Sequence, residues 1–331
     1  MIKQLQLKGM GISQFFQLSF NVTLAKIMPW YFLRIYMYFI GFLYLFFKRY
    51  ERKRISLCVN YVVFNFIFQS YIHYLYYVFK VYLGIFDHYY EKLILAHRSL
   101  CETSNFLNNS LHIVNRNILD KLQKRGQGAL LITGHYGSVE FLPLALLLQG
   151  YKVSMICKFK TSELKKAILE KAKNFDVEII DASEGNVAFK AINAIKSGRI
   201  LVTECDEFKQ WRRDKKSKVQ VFGSHVNRDK TLDFFYRRTK APVVLGLMRR
   251  DSYSKITMIL EQVADGREKV AVSARAWKML ERHILAYPYQ WYQWKEAAIE
   301  LSNYIDLENW RENKKIQSIS AQPSVLTSDF S

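Results

Sequence analysis

Two long apolar runs open the chain, and after Gly126 shorter ones alternate with polar segments. The first, "IMPWYFLRIYMYFIGFLYLFF" from Ile27 to Phe47, is interrupted by Pro29 and Arg34 and is about as long as a hydrocarbon core is thick. It predicts a helical anchor, with Arg34 near one end placed to snorkel to the interface. The basic cluster "KRYERKR", Lys48 to Arg54, follows directly and belongs on the cytoplasmic face under the positive-inside rule. No small-residue cleavage site follows, so a retained anchor fits better than a removed leader; a buried core helix and a helix lying in the interface are the alternatives. The second run, Val59 to Phe86, carries Asn60, Asn65, Gln69, His73 and Lys80 at intervals, which makes it a poor spanning helix. Its apolar positions do not alternate with period two, so it predicts one long helix with a polar edge, lying on the membrane or against the following domain. His73 and His88 read as structural or interfacial. The small polar residues of "CETSNFLNNS", Cys101 to Ser110, predict a break in the helical region.

Beyond Gly126 the pattern changes to strand-like runs: "GALLITGH", "YKVSMICKF", "VEIID", "RILVTECD", "KVQVFG", "APVVLGLMRR" and "KITMILEQV". Between them "EFLPLALLLQ", "ELKKAILEKAKNF", "NVAFKAINAIKSG" and "TLDFFYRRTK" read as helices. The alternation predicts an α/β fold, a mixed, largely parallel sheet flanked by helices behind an N-terminal hydrophobic anchor. The chain divides into a lead segment (1–26), a membrane-associated helical region (27–100), an α/β domain (101–310) and a tail (311–331) with too little to bury to be ordered.

Charge narrows the partners. Forty-nine Lys and Arg against twenty-nine Asp and Glu leave a net +20, which calls for something anionic: nucleic acid, an acidic membrane surface, or an acidic or phosphate-bearing substrate. The four cysteines are scattered without a CxxC pair, so neither a zinc site nor a disulfide framework is indicated. GxSxG, GxGxxG and P-loop signatures are missing, which leaves the serine-elbow, dinucleotide and nucleotide-phosphate readings with little support.

The one stretch that carries chemistry is "TGHYGSVEFLP", Thr133 to Pro143, at the carboxyl end of the first strand after Gly126. Ligands of open α/β sheets bind at that edge. On one regular helix His135 and Glu140 would stand about 140° apart. If the helix begins near Ser138 as its N-cap, His135 lies in the turn and Glu140 in the first helical turn, and the two can approach. A carboxylate on one imidazole nitrogen fixes the tautomer, so His135 becomes a general base that Glu140 orients. The alternative is a histidine that ends the strand beside a solvated first-turn acid.

"GHYGSVE" resembles the HX4E form of the lysophospholipid acyltransferase motif, as found in the bacterial lipid A late acyltransferases, the lauroyl and myristoyl transferases. The resemblance extends over most of the chain: the hydrophobic anchor and basic stretch, the motif, "TECDEF" around Asp206, "VQVFG" ending at Gly223, "RRTKAPVV", and "YPYQWYQW" near the carboxyl end. It implies a glycerolipid acyltransferase-like fold and a transferase moving a fatty acyl chain from acyl carrier protein or acyl-CoA to a hydroxyl, or an amine, of a membrane lipid or glycolipid. His135 would deprotonate the acceptor and Glu140 would hold His135. Neither metal nor redox cofactor would be needed, and the site would face the cytoplasm at the bacterial inner membrane. Glu204 and Asp206 stand for the family's Asp-x-Asp pair, Glu204 only approximately. Lys158 or Lys160 would hold the donor or an anionic acceptor, unless each is simply a solvated strand-end lysine, and Gly223 falls at a matching substrate-side position. The basic loop Gln210 to Lys218 would meet lipid phosphates or an acidic carrier, or only solvent. Trp291, Tyr292 and Trp294 read as packing or interfacial residues. Two rivals stand: an inactive membrane scaffold of the same fold, and a nucleic-acid binder, which leaves the anchor unexplained.

Overall fold

The computed structural model describes residues 11–67, 71–159 and 161–301. Lys160 and the segment expected to be a disordered tail lie outside the described residues. A run of helices comes first: α1 (Ile12–Phe16), α2 (Ser19–Ile27), α3 (Trp30–Phe47), α4 (Arg49–Val62), then a π-helical turn at Val63–Ile67, α5 (Tyr71–His97) and α6 (Leu100–Ser110). Pro29 separates α2 from α3 because the residue before a proline is driven out of the helical region, and Met28 is extended.

α3 is apolar on all sides, and each side has a different fate. Leu33, Met37, Ile40, Tyr44 and Leu45 are buried in the protein, while Tyr31, Phe32, Ile35, Phe39 and Phe46 are exposed. By length and composition the helix could cross a membrane, although about a third of it, 33%, is buried in the protein. Arg34 does not point toward an interface: its guanidinium makes two hydrogen bonds to Asp87 of α5, at 2.7 and 2.8 Å. Within the run from Val59 to Phe86, the described residues are the end of α4, the π-helical turn Val63–Ile67 and the first part of α5, all helical, with 68–70 outside the described residues. The expected break at Cys101–Ser110 is instead α6, because Ser99 opens it with a capping box: the Ser99 hydroxyl accepts from Glu102 N and the Glu102 carboxylate accepts from Ser99 N.

The α/β part follows as β1 (Leu111–Val114), α7 (Asn117–Lys124), β2 (Ala129–Thr133), α8 (Leu142–Leu148), β3 (Val153–Cys157), α9 (Ser162–Ala172), β4 (Val177–Asp181), α10 (Val187–Lys196) and β5 (Ile200–Glu204). It continues through β6 (Arg213–Val221), β7 (Ser224–Asp229), α11 (Thr231–Thr239), β8 (Val243–Ser252), β9 (Lys255–Ala264), α12 (Val272–Ala286) and α13 (Trp294–Glu300). Seven strands form one sheet in the order β1-β9-β8-β2-β5-β3-β4, parallel throughout except for the antiparallel pair β8 and β9. This is the expected mostly parallel sheet flanked by helices. β2, "ALLIT", is buried at every position, as a strand covered on both faces must be. β6 and β7 make a separate antiparallel hairpin. The order fixes the site: β5 sits between β2 and β3, so the carboxyl ends of β2 and β5 lie side by side, with Thr133 paired to Glu204.

Candidate active site

The turn after β2 is held from several sides. Gly137 has φ +57°, and a Cβ there would overlap the carbonyl oxygen of Met248, so only glycine passes so close to β8. The amides of Gly137 and Ser138 donate to Gln290 O and Met248 O, each at 2.7 Å. Ser138 does not cap a helix with its side chain; its hydroxyl donates to Glu91 of α5 at 2.8 Å. A short 3-10 turn, Val139–Phe141, then leads into α8.

Two residues beyond the paired Thr133 and Glu204, His135 and Asp206 face each other. The imidazole Nδ1 lies 2.8 Å from Asp206 Oδ1, and the His135 amide donates to Oδ2 of the same carboxylate at 2.8 Å. Trp291 Nε1 donates to Oδ2 at 2.6 Å. Asp206 is fully buried with both oxygens engaged. An ionised carboxylate can only accept, so Nδ1 carries a hydrogen and Nε2 is the nitrogen left for proton exchange. Nε2 stands 3.5 Å from Glu204 and 3.4 Å from Glu207. Tyr292 meets the imidazole edge to face at 4.9 Å, and its amide donates to His135 O at 3.2 Å.

Glu140 does not take the place expected of it. Its carboxylate receives a hydrogen bond from Lys92 Nζ at 3.1 Å and lies 3.5 Å from Nδ1 of the buried His88. The partner on His135 Nδ1 is Asp206, because strand register brings the end of β5 against the end of β2, whereas the 3-10 turn directs Glu140 toward α5. His88 is stacked on Tyr292 at 3.6 Å, so it joins the wall of the site rather than a remote surface.

Charge follows from this packing. Burial alone would lower the pKa of His135, but the carboxylates of Glu204, Asp206 and Glu207 outweigh it and push the pKa up to about 10. Burial raises Glu204 to about 7, helped by the acids beside it and offset in part by His135, although 39% of its side chain remains exposed. Burial, with the Lys92 ammonium beside it, drives His88 well down and keeps it neutral. Oxygens of Glu204 and Glu207 and a ring nitrogen of His135 lie within 4.8 Å of one another, a donor set that suits a divalent cation as well as a proton.

Beside these groups opens a recess of about 80 Å³. Val139, Leu142, Pro143, Met155, Ile156 and Val202 form its apolar wall, and Glu140 and Glu204 are among its polar residues. Lys158, exposed just past the end of β3, stands on the same carboxyl edge of the sheet, with no hydrogen bond or ion pair among the described residues. Gly223 is placed elsewhere: with Phe222 it forms the two-residue turn of the β6–β7 hairpin, both at positive φ, and packs near Phe66. Sequence reading passed over Glu91 and Lys92 and took His88 as structural or interfacial. Their trace was there: Asp87 with Glu91 and His88 with Lys92 are polar pairs four residues apart in a largely apolar helix, which places each pair on one face.

A carboxylate-held histidine thus stands beside an apolar recess at the carboxyl edge of a mostly parallel sheet, the edge at which ligands of such α/β folds bind. The chain belongs to the bacterial lipid A biosynthesis acyltransferase family, whose sequence profile matches residues 70–295, and acyltransferase is its class of activity. The matched span runs from α5 into α13 and takes in every group of the site described above. No curated protein matched the chain.

Proposed function

We propose that the protein transfers a fatty acyl chain from a thioester, on acyl carrier protein or coenzyme A, to a hydroxyl of a membrane glycolipid or lipid acceptor, with His135 as general base. The observation that carries this reading is the Nδ1 contact to buried Asp206, which leaves Nε2 directed toward Glu204 and Glu207 at the open side of the site. Asp206 orients the base. Neutral His135 takes the proton of the acceptor hydroxyl through Nε2 while the oxygen attacks the thioester carbonyl. Collapse of the tetrahedral intermediate forms the ester and breaks the carbon–sulfur bond, and the departing thiolate takes the proton from the imidazolium.

At neutral pH the resting His135 is an imidazolium, so the base form has to be made. Glu204, raised only to about 7, is a weaker base than His135, so that proton leaves to solvent as the pH rises toward the value of His135. Glu140, tied to Lys92 and beside His88, keeps the mouth of the recess polar and holds α5 against the turn. The recess has about half the volume of an engineered cavity, ~150 Å³, that accepts one benzene. It suits the carbonyl end of a chain, and the remainder has to part the wall or run along exposed apolar side chains. No metal or redox cofactor enters this scheme. Lys158, without a hydrogen bond or ion pair among the described residues, is a cation on that edge able to meet a phosphate of donor or acceptor. The apolar outer face of α3 and the basic residues Lys48 to Arg54 support a bacterial inner-membrane location with the site on the cytoplasmic side.

The test is lipid mass spectrometry on cells expressing the wild type or His135→Ala at matched levels. A lipid heavier by one acyl chain, present only with the wild type, identifies acceptor and chain together. Identical lipid profiles, with the acceptor shown to be present, would leave the chain as an inactive scaffold of this fold.

A further inference from the structure

A second buried polar cluster lies on the other face of α5, walled by Trp30, Phe106 and Phe141. Asp87 and Glu91, one helical turn apart, are both buried. Arg34 closes on Asp87 with its two hydrogen bonds, and the Tyr38 hydroxyl adds a third at 2.7 Å. Arg250, near the end of β8, closes on Glu91 in the same way at 2.7 and 2.8 Å and stands 3.7 Å from Asp87. Arginines and acids therefore alternate in one line: Arg34, Asp87, Arg250, Glu91. The far end of the line reaches the turn that carries the histidine. Ser138 donates to Glu91, and Arg250 Nη2 donates to Gly137 O at 3.1 Å. Gln290 brackets Arg250 on its amide and its carbonyl, at 3.1 and 2.7 Å.

Stability alone explains such a line poorly, since apolar residues of similar volume often hold a buried site as well as paired charges do. Paired forks do fix direction, and both forks here are bidentate. We propose that Arg250 and Glu91 are positioning residues that set the Gly137–Ser138 turn and so aim His135, and that Arg34 and Asp87 extend the same device to the apolar helix α3. The inference rests on the reading of His135 as the base. Its consequence is that the seat of α3, whose outer face needs an apolar cover, bears on the geometry of the catalytic turn.

The experiment uses the full chain in lipid bilayers and three variants: Ser138→Ala, Arg250→Lys, and the paired exchange Arg34→Met with Asp87→Leu. Turnover, donor KM and thermal midpoint are measured, together with the ring-nitrogen NMR signals of His135 in protein labelled at histidine. Turnover is expected to fall by about tenfold or more in each, since a misplaced base loses rate at fixed affinity. KM and midpoint stay close to wild type, and the His135 signals move. Wild-type turnover in Ser138→Ala and Arg250→Lys overturns the proposal, as does a loss of rate that follows the loss of folded protein. If the wild type itself transfers no acyl group, it is the acyl-transfer reading that fails. The NMR signals then decide the positioning role alone, and unmoved signals in both single variants overturn it.

Discussion

His135 sits among three carboxylates, and for the base proposed above the pH dependence of turnover follows from them. A pKa pushed up to about 10 means that the neutral form gains roughly tenfold for each pH unit below that value. Turnover is therefore expected to rise from neutral into alkaline pH and to level off only near that pKa, provided the protein stays folded. Glu207→Gln removes one negative neighbour, lowers the imidazole pKa and moves the rising limb to lower pH; an unshifted limb in a pH–rate profile would remove His135 as the titrating base. Asp206→Asn should cost about 10² or more in turnover, because the amide no longer fixes the proton on Nδ1. Glu140→Gln touches no atom of His135 and should cost far less than Asp206→Asn, which steady-state rates on the two variants decide directly. Chelation should leave turnover unchanged, since a proton on His135 already answers the charge of Glu204 and Glu207. A loss restored by a divalent cation would instead assign that triad to a metal.

The elements place these groups through one close approach and one register. Gly137→Ala sets a side chain at positive φ against Met248 O, and the backbone strain alone is worth about 1–3 kcal/mol. Denaturant unfolding and activity of that variant should fall together, the turn having nowhere to move. The register of β2 with β5 is carried by buried apolar side chains, Leu130 and Leu131 opposite Leu201 and Val202. The packing of these side chains on the covered faces of the sheet sets the register, and with it the pairing of Thr133 with Glu204. The hairpin of β6 and β7 was legible only in part. "KVQVFG" shows its alternation, whereas "SHVNRD" is mostly polar and becomes a strand because β6 lies beside it. β1, four half-buried or exposed residues long, is too short to announce itself before β9 pairs with it.

On the scale of the molecule, the helical layer has two apolar sides and the sheet covers only one. Phe39→Glu with Phe46→Glu should release the protein from membranes and leave its thermal midpoint nearly unchanged, because both side chains are exposed. Met37→Ala, on the inner side of the same helix, should destabilise by about 2–5 kcal/mol and leave membrane recovery intact. Retention of the double variant in the membrane fraction would refute that division of labour. Local pattern was enough for much of this protein. The 3.6-residue and two-residue periods fixed most helices and strands, the apolar length of α3 marked it as able to meet a membrane, and the glycines around His135 marked a tight turn at the sheet edge. The choice of partners was beyond local pattern. Asp206 lies 71 residues from His135 and reaches it only because β5 inserts between β2 and β3. Glu140, five residues away, is turned toward Lys92 and His88, and Arg34 is drawn from the interface to Asp87. Spacing along a chain determines which side chains share a face of one element. Which carboxylate meets which cation is settled by the packing of elements far apart in sequence, where burial makes an unpaired charge too costly to leave.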